Sequence, residues 1–219
     1  GMIGFLKSLR YTCDILKPSR CIIVFDGKDG SKRRRKLYPE YKENRKVKKR
    51  LNRNVDWGTA PADEEESMKQ QMGRLIEYLE QLPLTLVCID GIEADDTMAY
   101  ISQQLLTDSD IFIMSTDKDF LQLVDDRVKV WSPTKKKLYT KNEVFDEYGI
   151  PSKNILTYRI LDGDKSDNIN GIRGAGIKSI IKYCPQITID ELFDVMDLMD
   201  FAEKSDGKIK LLENIKNSS

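Results

Sequence analysis

Acidic residues follow most of the apolar stretches of this chain. Asp26 comes directly after the apolar run at 21–25, and similar runs precede the acids at 93–96 and 117–119. Because side chains at the carboxyl ends of parallel strands meet in one crevice, these carboxylates would repel one another unless cations neutralised them. Oxygen-rich clusters suit Mg²⁺ or Mn²⁺, and two such ions about 3.5–4 Å apart commonly hydrolyse phosphodiesters. The eight candidate carboxylates are Asp26, Glu93, Asp95, Asp96, Asp117, Asp119, Asp164 and Asp167.

The absence of histidine limits the chemistry that the chain can perform. Of its 219 residues, 33% are charged, 40% are apolar and none is histidine, which excludes Ser-His-Asp triads and histidine-ligated zinc. Carboxylates, lysines, arginines, tyrosines and metals remain. The four cysteines form no CxxC pair, which indicates reduced thiols in a cytosolic protein. No apolar run is long enough to span a membrane, and no signal peptide is visible.

A net charge of zero conceals a strongly basic segment. Residues 32–53 contain twelve lysines and arginines against two glutamates, a net charge of +10, so the remainder carries −10. A basic block in the same chain as an acidic cluster is typical of an enzyme that binds polyanions electrostatically and cleaves them with metals. A disordered basic tail would have the same composition.

Apolar periodicity predicts alternating helices and strands up to about residue 150. The alternation is typical of an α/β fold with a mostly parallel sheet flanked by helices. Beyond this point the pattern becomes helical. We therefore expect a core at 1–150, with a partly helical basic excursion at about 31–56, and a helical region at 151–219. We predict helices at 3–16, 61–82, 94–106, 119–123, 152–161, 177–183 and 189–196, and strands at 20–25, 84–89, 110–114, 127–131 and 138–139.

Each acidic motif also has a plain structural interpretation. The acids at 93–96 open a helix, where the helix dipole favours them in any case. The Asp-x-Asp at 117–119 is compatible with an ordinary turn, and the acids at 164 and 167 with a solvated helix face. Three such clusters, each at the rim of the predicted sheet, favour function over coincidence.

A glycine-rich segment at 171–178 joins two predicted helices. Gly174 and Gly176 would let backbone N–H groups approach a phosphate, and Lys178 would add a charge contact. The segment resembles a helix–hairpin–helix, which grips the DNA backbone without reading its sequence. A glycine C-cap in a tight turn is the alternative.

Aromatic and basic residues are interleaved within the basic segment. Their rings would stack an unpaired base, and their charges would clamp a phosphate. A solvated surface is the alternative. These residues are Tyr38, Tyr41, Lys42 and Arg45.

Five ordered segments resemble the 5′ nuclease superfamily, which comprises flap endonucleases and 5′–3′ exonucleases and includes the 5′-nuclease domain of bacterial DNA polymerase I. The resemblance covers roughly residues 3–185 and extends to the bacteriophage members of the superfamily. The segments are Phe-Asp-Gly at 25–27, Tyr-Lys-Glu-Asn-Arg at 41–45, Ile-Glu-Ala-Asp-Asp at 92–96, Ser-Thr-Asp-Lys-Asp at 115–119 and Gly-Asp-Lys-Ser-Asp-Asn at 163–168.

The resemblance implies a PIN-like α/β core, a basic helical arch and a C-terminal helix–three-turn–helix that binds DNA. Lys42 and Arg45 resemble the residues at the base of the arch that hold the scissile phosphate, and Asp96 resembles a supporting acid. The residues that resemble ligands of a first metal ion are Asp26, Glu93, Asp95 and Asp117, and those of a second are Asp119, Asp164 and Asp167. Further DNA contacts are expected at Arg33, Arg34, Arg35, Tyr38, Tyr41, Gly174, Gly176 and Lys178, and a K⁺ ion at the helix–three-turn–helix.

The implied activity is that of a metal-dependent, structure-specific 5′ nuclease. It would act in replication or repair on DNA with a 5′ flap, a nick or an RNA primer, using two Mg²⁺ or Mn²⁺ ions. The resemblance further implies a monomer in the cytoplasm of a bacterial or phage-infected cell, with replication proteins as partners. A catalytically weak DNA-junction binding module is the alternative. A PIN-type ribonuclease is disfavoured, because the helix–three-turn–helix tracks duplex DNA.

One feature of the family pattern has no match in this sequence. Members normally begin with a strand that ends in Val-Asp-Gly, whose aspartate joins the metal site, whereas this sequence begins in the helix that follows. Asp14, within that helix, is a poor substitute. We therefore expect the chain as given to be poorly soluble or weakly active. A segment supplying the strand and its aspartate should raise both stability and activity.

Overall fold

A computed structural model describes residues 1–46, 61–204 and 210–216. The chain divides into two compact units, Gly1–Thr97 and Met98–Ser219. Within the described residues, the first seven elements are α1 (Met2–Leu16), β1 (Ile22–Asp26), α2 (Lys32–Leu37), a 3₁₀ turn (Glu43–Lys46), α3 (Pro61–Leu79), β2 (Thr85–Ile89) and α4 (Ala94–Tyr100). The part of the basic segment at 47–56 lies outside the described residues.

The remaining elements belong to the second unit. They are a π-helical turn (Ile101–Leu105), β3 (Ile111–Met114), a 3₁₀ turn (Lys118–Leu123), β4 (Val128–Ser132), β5 (Lys137–Tyr139), α5 (Lys141–Tyr148), a 3₁₀ turn (Ser152–Asn154), α6 (Ile155–Asp162), β6 (Gly163–Asp164), β7 (Ile169–Asn170), α7 (Ile177–Tyr183), a 3₁₀ turn (Pro185–Thr188), α8 (Val195–Lys204) and α9 (Lys210–Lys216). No helix in the described part of the chain is both long enough and apolar enough to cross a membrane.

Strands β1 and β2 form a parallel pair in the first unit, with Asp26 in register with Ile89. The length and apolar composition of 20–25 predict a fully buried strand, but the side chains at 22–25 are only half-buried and Asp26 is exposed. Over the described residues β1 hydrogen-bonds to β2 alone, so this sheet has two strands. Helix α1 ends as predicted before Pro18, where Lys17 adopts a left-handed conformation and its N–H donates to the carbonyl of Cys13.

The second unit is built on a three-stranded sheet and a helical layer. Strand β4 pairs in parallel with β3 and antiparallel with β5. One apolar core joins Val128 and Val130 of β4 to Ile155 of α6, Ile180 of α7 and Leu198 of α8. Each fully buried aliphatic side chain of this kind contributes roughly 1.5–3 kcal/mol. The core draws on residues from both sides of position 150, and the proposed division into 1–150 and 151–219 stays a prediction.

Two helical segments differ from the predicted pattern. The α-helix expected at 94–106 ends at Tyr100 and continues as the π-helical turn. The guanidinium of Arg127 donates to the carbonyls of Ser102 at 2.8 Å and Leu106 at 2.7 Å. A side chain therefore provides hydrogen bonds to backbone carbonyls at the C-terminal end of this helical segment. Helix α5 was not predicted, although Thr140 and Glu143 form a capping box and Gly149 caps its end in a left-handed conformation.

The helix predicted at 189–196 was wrong, because a distant side chain holds the backbone there in another form. Asn154 is fully buried, and its amide group donates to the carbonyls of Ile187 at 2.9 Å and Glu191 at 3.0 Å. Its carbonyl accepts the N–H of Phe193 at 2.9 Å. The helix begins instead at Val195, where Asp194 accepts the N–H groups of the first turn.

The four cysteines are free thiols in the structure, and the reduced state expected of a cytosolic protein stays a prediction. Their environments differ, since Cys184 is buried and Cys88 is exposed. Burial raises the pKa of the Cys184 thiol to about 11, so this group is an inert part of the core.

Replacing Asn154 with alanine should destabilise the protein by about 2–4 kcal/mol, because buried carbonyls and the N–H of Phe193 would lose their partner. Asn142→Ala, at an exposed position of α5, is the matched control and should change stability by less than about 0.5 kcal/mol. Urea unfolding followed by circular dichroism measures both. Equal effects of the two substitutions would show that the Asn154 contacts contribute nothing specific.

Candidate active site

The loop after β1 packs directly on the loop after β2. The N–H of Gly27 donates to the carbonyl of Ile92 at 3.3 Å, and the N–H of Gly91 donates to the carbonyl of Lys28 at 2.7 Å. The N–H of Lys28 also donates to the Asp90 carboxylate at 3.0 Å. These contacts fix the start of α2 close to the start of α4, and so bring basic and acidic side chains together.

Glu93 is the centre of the acidic cluster in the first unit. Only 5% of its surface is exposed, and it accepts hydrogen bonds from Arg34, Lys42 and the hydroxyl of Tyr41. Burial by itself raises the pKa of a carboxyl group. The hydrogen bonds from Lys42 and Tyr41, together with the charges of Lys42 and Arg34, outweigh that effect and hold the pKa of Glu93 below its ordinary value.

Arg34 links the acids of α4 to the basic segment. Its guanidinium donates to Glu93 and, at 2.7 Å, to Asp96, and it lies 3.8 Å from a carboxylate oxygen of Asp95. Burial raises the pKa of Asp95 above its ordinary value, although Arg34 and the N–H of Asp96 oppose that shift. Arg33 and Arg35, which flank Arg34 in the sequence, are exposed. The structure therefore distinguishes three arginines that look alike in sequence.

Asp26 serves the helix that carries the other acids. Its carboxylate accepts the N–H of Ala94 at 2.8 Å, so it caps the start of α4 from the end of β1. The acids at 93–96 lie at this start, as predicted, and the N–H of Asp96 donates to Asp95 at 2.8 Å. Asp14 is exposed on α1, where it lies 3.7 Å from Arg10.

Tyr41 and Lys42 form the base of the described part of the basic segment. Tyr41 was predicted to stack an unpaired base, but only 5% of it is exposed, and the Lys42 ammonium lies 4.8 Å from its ring centre. Its contact with Glu93 makes it a buried support, and its role toward DNA stays a prediction. The backbone of Lys42 is left-handed, with φ of 56°, a strained conformation that occurs often at functional sites. Tyr38 and Arg45 are exposed.

A second acidic cluster lies in the second unit. Asp117 accepts the N–H of Asp119 at 2.9 Å and so begins the 3₁₀ turn after β3. Asp164 accepts both the N–H and the hydroxyl of Ser166 at 2.7 Å. The N–H of Asp167 donates to the carbonyl of Asp164 at 3.2 Å, so both acids lie in one tight turn.

Arg159 joins the two parts of this cluster and was not predicted. Its Nε donates to Asp119 at 2.8 Å and its Nη2 donates to Asp164 at 2.7 Å. Burial raises the pKa of Asp119 above its ordinary value despite this contact. Burial also acts on Asp164, but hydrogen bonds from Ser166 and the charge of Arg159 hold its pKa below the ordinary value. A signal existed in the sequence, since Arg159 is the one basic residue of α6.

The glycine-rich segment precedes α7, with Lys178 exposed on its first turn. Gly174 has a φ of 88°, which favours glycine. The φ of Gly176 is −66°, which any residue adopts, and a Cβ placed there would meet no atom within 4 Å. Within the described residues, therefore, neither conformation nor packing requires glycine at 176. The space beside it is open to a ligand's backbone.

The donor atoms of both clusters fit a hard divalent cation, because carboxylate oxygens are the ligands that Mg²⁺ and Mn²⁺ prefer. Among the described residues, however, no group of three or more acidic or cysteine side chains is arranged to hold a metal ion. Arg34, Lys42 and Arg159 donate hydrogen bonds to carboxylates of these clusters instead. The assignment of individual metal ligands, and the convergence of all eight carboxylates on one crevice, stay predictions.

Residues 1–149, more than half of the chain, match the family described as 5′-3′ exonuclease, N-terminal resolvase-like domain. The chain belongs to this 5′–3′ exonuclease family. The resemblance carried by the five ordered segments is thus confirmed. Four of those segments contain the acids described above, and the fifth contains Tyr41, Lys42 and Arg45.

Several curated relatives are named 5′-3′ exonucleases. That of Aquifex aeolicus (strain VF5) is 33% identical over 182 residues, which cover 83% of this chain and 57% of the relative. That of Bacillus subtilis (strain 168) is 30% identical over 216 residues, which cover 96% of this chain and 66% of the relative. The chain therefore spans between half and two thirds of the length of these two exonucleases.

Solved structures of bacteriophage T5 proteins share the fold. A T5 protein co-crystallised with metal ions matches with a TM-score of 0.77 and 23% identity, covering 99% of this chain and 77% of that one. A T5 flap endonuclease complex with DNA and metal ions matches with a TM-score of 0.75 and 23% identity, covering 99% and 76%. The predicted PIN-like α/β fold is confirmed.

Gly27→Ala should disturb the strand end that presents Asp26. A Cβ at this position would lie 1.7 Å from the carbonyl oxygen of Ile89, so the two loops must separate, and we expect a loss of more than about 2 kcal/mol. Gly73→Ala is the control, because a Cβ there meets no atom within 4 Å in helix α3, and should stabilise by about 0.5–1 kcal/mol. Thermal unfolding distinguishes the two, and a neutral Gly27→Ala would contradict the close approach.

Proposed function

We propose that this chain is a divalent-metal-dependent 5′ nuclease that acts on DNA. The observation that carries the proposal is the docking of a cationic segment against carboxylates at the carboxyl ends of β1 and β2, centred on buried Glu93. Membership of the 5′–3′ exonuclease family supports the same activity. A polyanion-binding segment beside acidic side chains is what phosphodiester cleavage requires.

The residues that would hold the metal ions are the carboxylates of the two clusters. In the first unit these are Asp26, Glu93 and Asp95, with Asp96 as a supporting acid. In the second unit they are Asp117, Asp119, Asp164 and Asp167. Mg²⁺ or Mn²⁺ bound there would activate a water and stabilise charge on the phosphate. The metal ions in the crystals of the T5 relatives support this proposal.

The chain's own cationic groups would bind and orient the DNA. Exposed Arg33 and Arg35 extend from α2 and would contact phosphates along the strand. Lys42, already held within the cluster, would stabilise charge on the scissile phosphate together with Arg45. Backbone N–H groups near Gly176 would contact phosphates of a duplex arm without reading its sequence.

The substrate would be DNA with a 5′ flap, a nick or an RNA primer, bound by a monomer, with K⁺ at the helix–three-turn–helix. The DNA complex of the T5 flap endonuclease supports a DNA substrate. A DNA-junction binding module with weak catalysis is the second candidate.

Cleavage of a 5′-flap DNA should require Mg²⁺ or Mn²⁺ and stop in EDTA. Asp164→Asn should slow cleavage on the order of 10²-fold or more while DNA affinity stays close to that of the wild type, because a metal ligand acts mainly in the chemical step. Asp146→Asn, at an exposed position of α5, is the control and should cleave normally. Single-turnover cleavage and fluorescence anisotropy measure the two quantities. Full activity in EDTA would contradict the metal-dependent mechanism, whereas DNA binding without cleavage in Mg²⁺ or Mn²⁺ would favour the binding-module candidate.

Gly176→Val should weaken binding to DNA with a duplex arm several-fold and leave binding to a plain single strand unchanged. The substitution suits this test because the position is sterically open and its φ of −66° is accessible to valine, unlike the φ of Gly174. The loss should be similar for different duplex sequences, since phosphate contacts carry no base information. Equal weakening on both ligands would instead indicate a disturbed fold, which a thermal melt would register.

A further inference from the structure

Arg34 occupies the position at which a cation is most needed in the first unit. It donates to Glu93 and Asp96 and lies 3.8 Å from Asp95, so three carboxylates share one guanidinium. Glu93 is buried, whereas Asp95 and Asp96 are partly exposed. A buried carboxylate that lacks a partner costs far more than an exposed one, so this charge arrangement is stable only with a cation in place.

The cation comes from a segment that the proposed function assigns to DNA. Helix α2 has six residues, Lys32–Leu37, and five of them are basic. Only the arginine at its middle turns toward the acids, since Arg33 and Arg35 are exposed. The Arg34 guanidinium also lies 5.9 Å from the ring centre of Tyr41, whose hydroxyl donates to the buried Glu93.

We propose that Arg34 is an internal counter-ion that competes with a divalent cation for Glu93 and Asp95, the two carboxylates that it shares with the proposed metal site. Metal binding displaces the Arg34 guanidinium from the carboxylates. The freed guanidinium is then available to a phosphate group of the DNA. The inference rests on the proposed metal-dependent function and adds a regulatory element to it. Metal-free protein keeps α2 attached to the acids, and metal-bound protein presents one more positive charge to an incoming polyanion.

The competition has a thermodynamic consequence in both directions. If a divalent cation lowers the affinity of the carboxylates for Arg34, then Arg34 lowers their affinity for the cation by the same factor. Coupling of this kind typically amounts to about 5- to 150-fold in affinity. Removing the guanidinium should therefore tighten metal binding, which is the opposite of what loss of a binding-site residue usually does.

The test compares Arg34→Gln with Arg35→Gln, which removes the same charge from the same helix without touching the acids. Calorimetric titration of each variant of the whole 219-residue chain with Mn²⁺ gives the dissociation constant of the tightest site. We expect Arg34→Gln to bind Mn²⁺ about tenfold more tightly than the wild type. Arg35→Gln should bind like the wild type. Arg34→Lys keeps a cation in place and should lie between Arg34→Gln and the wild type.

Melting temperature supplies a second readout that does not depend on activity. Without metal, Arg34→Gln should melt below the wild type, because its carboxylates have lost a partner. Saturating Mn²⁺ should raise the melting temperature of this variant more than that of the wild type, since ligand stabilisation grows with affinity. A low melting temperature that Mn²⁺ does not recover would show that Arg34 is only a structural tie, and would overturn the proposal.

The outcomes separate this inference from the function on which it rests. If the wild type binds no Mn²⁺ at all, both the metal-dependent function and the counter-ion role fail. If the wild type binds Mn²⁺ but Arg34→Gln binds it equally or more weakly, the counter-ion role alone fails. Equal tightening in Arg34→Gln and Arg35→Gln would also overturn it, because a general charge effect would then explain the gain.

Discussion

The neutralisation of Glu93 is the interaction on which the first unit depends. A carboxylate that is 95% removed from solvent must be matched by cations, and here Arg34 and Lys42 supply them while Tyr41 adds a neutral donor. This requirement explains why a segment rich in positive charge packs against the body of the unit. It also explains the left-handed backbone of Lys42, whose ammonium must reach the same carboxylate.

The second unit meets the same requirement with a different source of charge. Arg159 belongs to α6, a helix whose other side enters the apolar core, so its position is fixed by packing. It connects Asp119 and Asp164 from two turns that are 45 residues apart in sequence. One acidic cluster is therefore held by a rigid core helix, whereas the other is held by a short helix in the basic segment. The two clusters should respond differently to any ligand that competes for their carboxylates.

Sequence alone identified the acids but could not identify their partners. The acids follow apolar strands, and the strand periodicity of β2 and β3 marks those positions. Nothing in the run of three arginines distinguishes Arg34 from its neighbours, because the contacts that place α2 beside α4, such as those of Gly27 and Lys28, are made by residues distant in sequence. Arg159 escaped notice for a related reason, since its two partners are contributed by separate turns.

The fold shows the same division between local and distant causes. Helices α1 and α7 were predicted closely because their own apolar pattern and end signals determine them. Helix α5 had local signals, a capping box and a C-terminal glycine, that periodicity alone did not reveal. The segment at 189–194 could not be predicted, since its helical pattern is overridden by hydrogen bonds to a side chain more than 30 residues earlier.

That side chain, Asn154, also determines how this part of the protein opens. Its amide group connects the start of α6 to three carbonyls and one N–H of the segment that precedes α8. The N–H of Phe193 is bonded to the same side chain that holds the three carbonyls, so an opening that moves Asn154 away releases all four groups together. Hydrogen exchange at this proton and at the first turn of α6 should therefore report a single opening event, which makes the two segments one cooperative unit although more than 30 residues separate them.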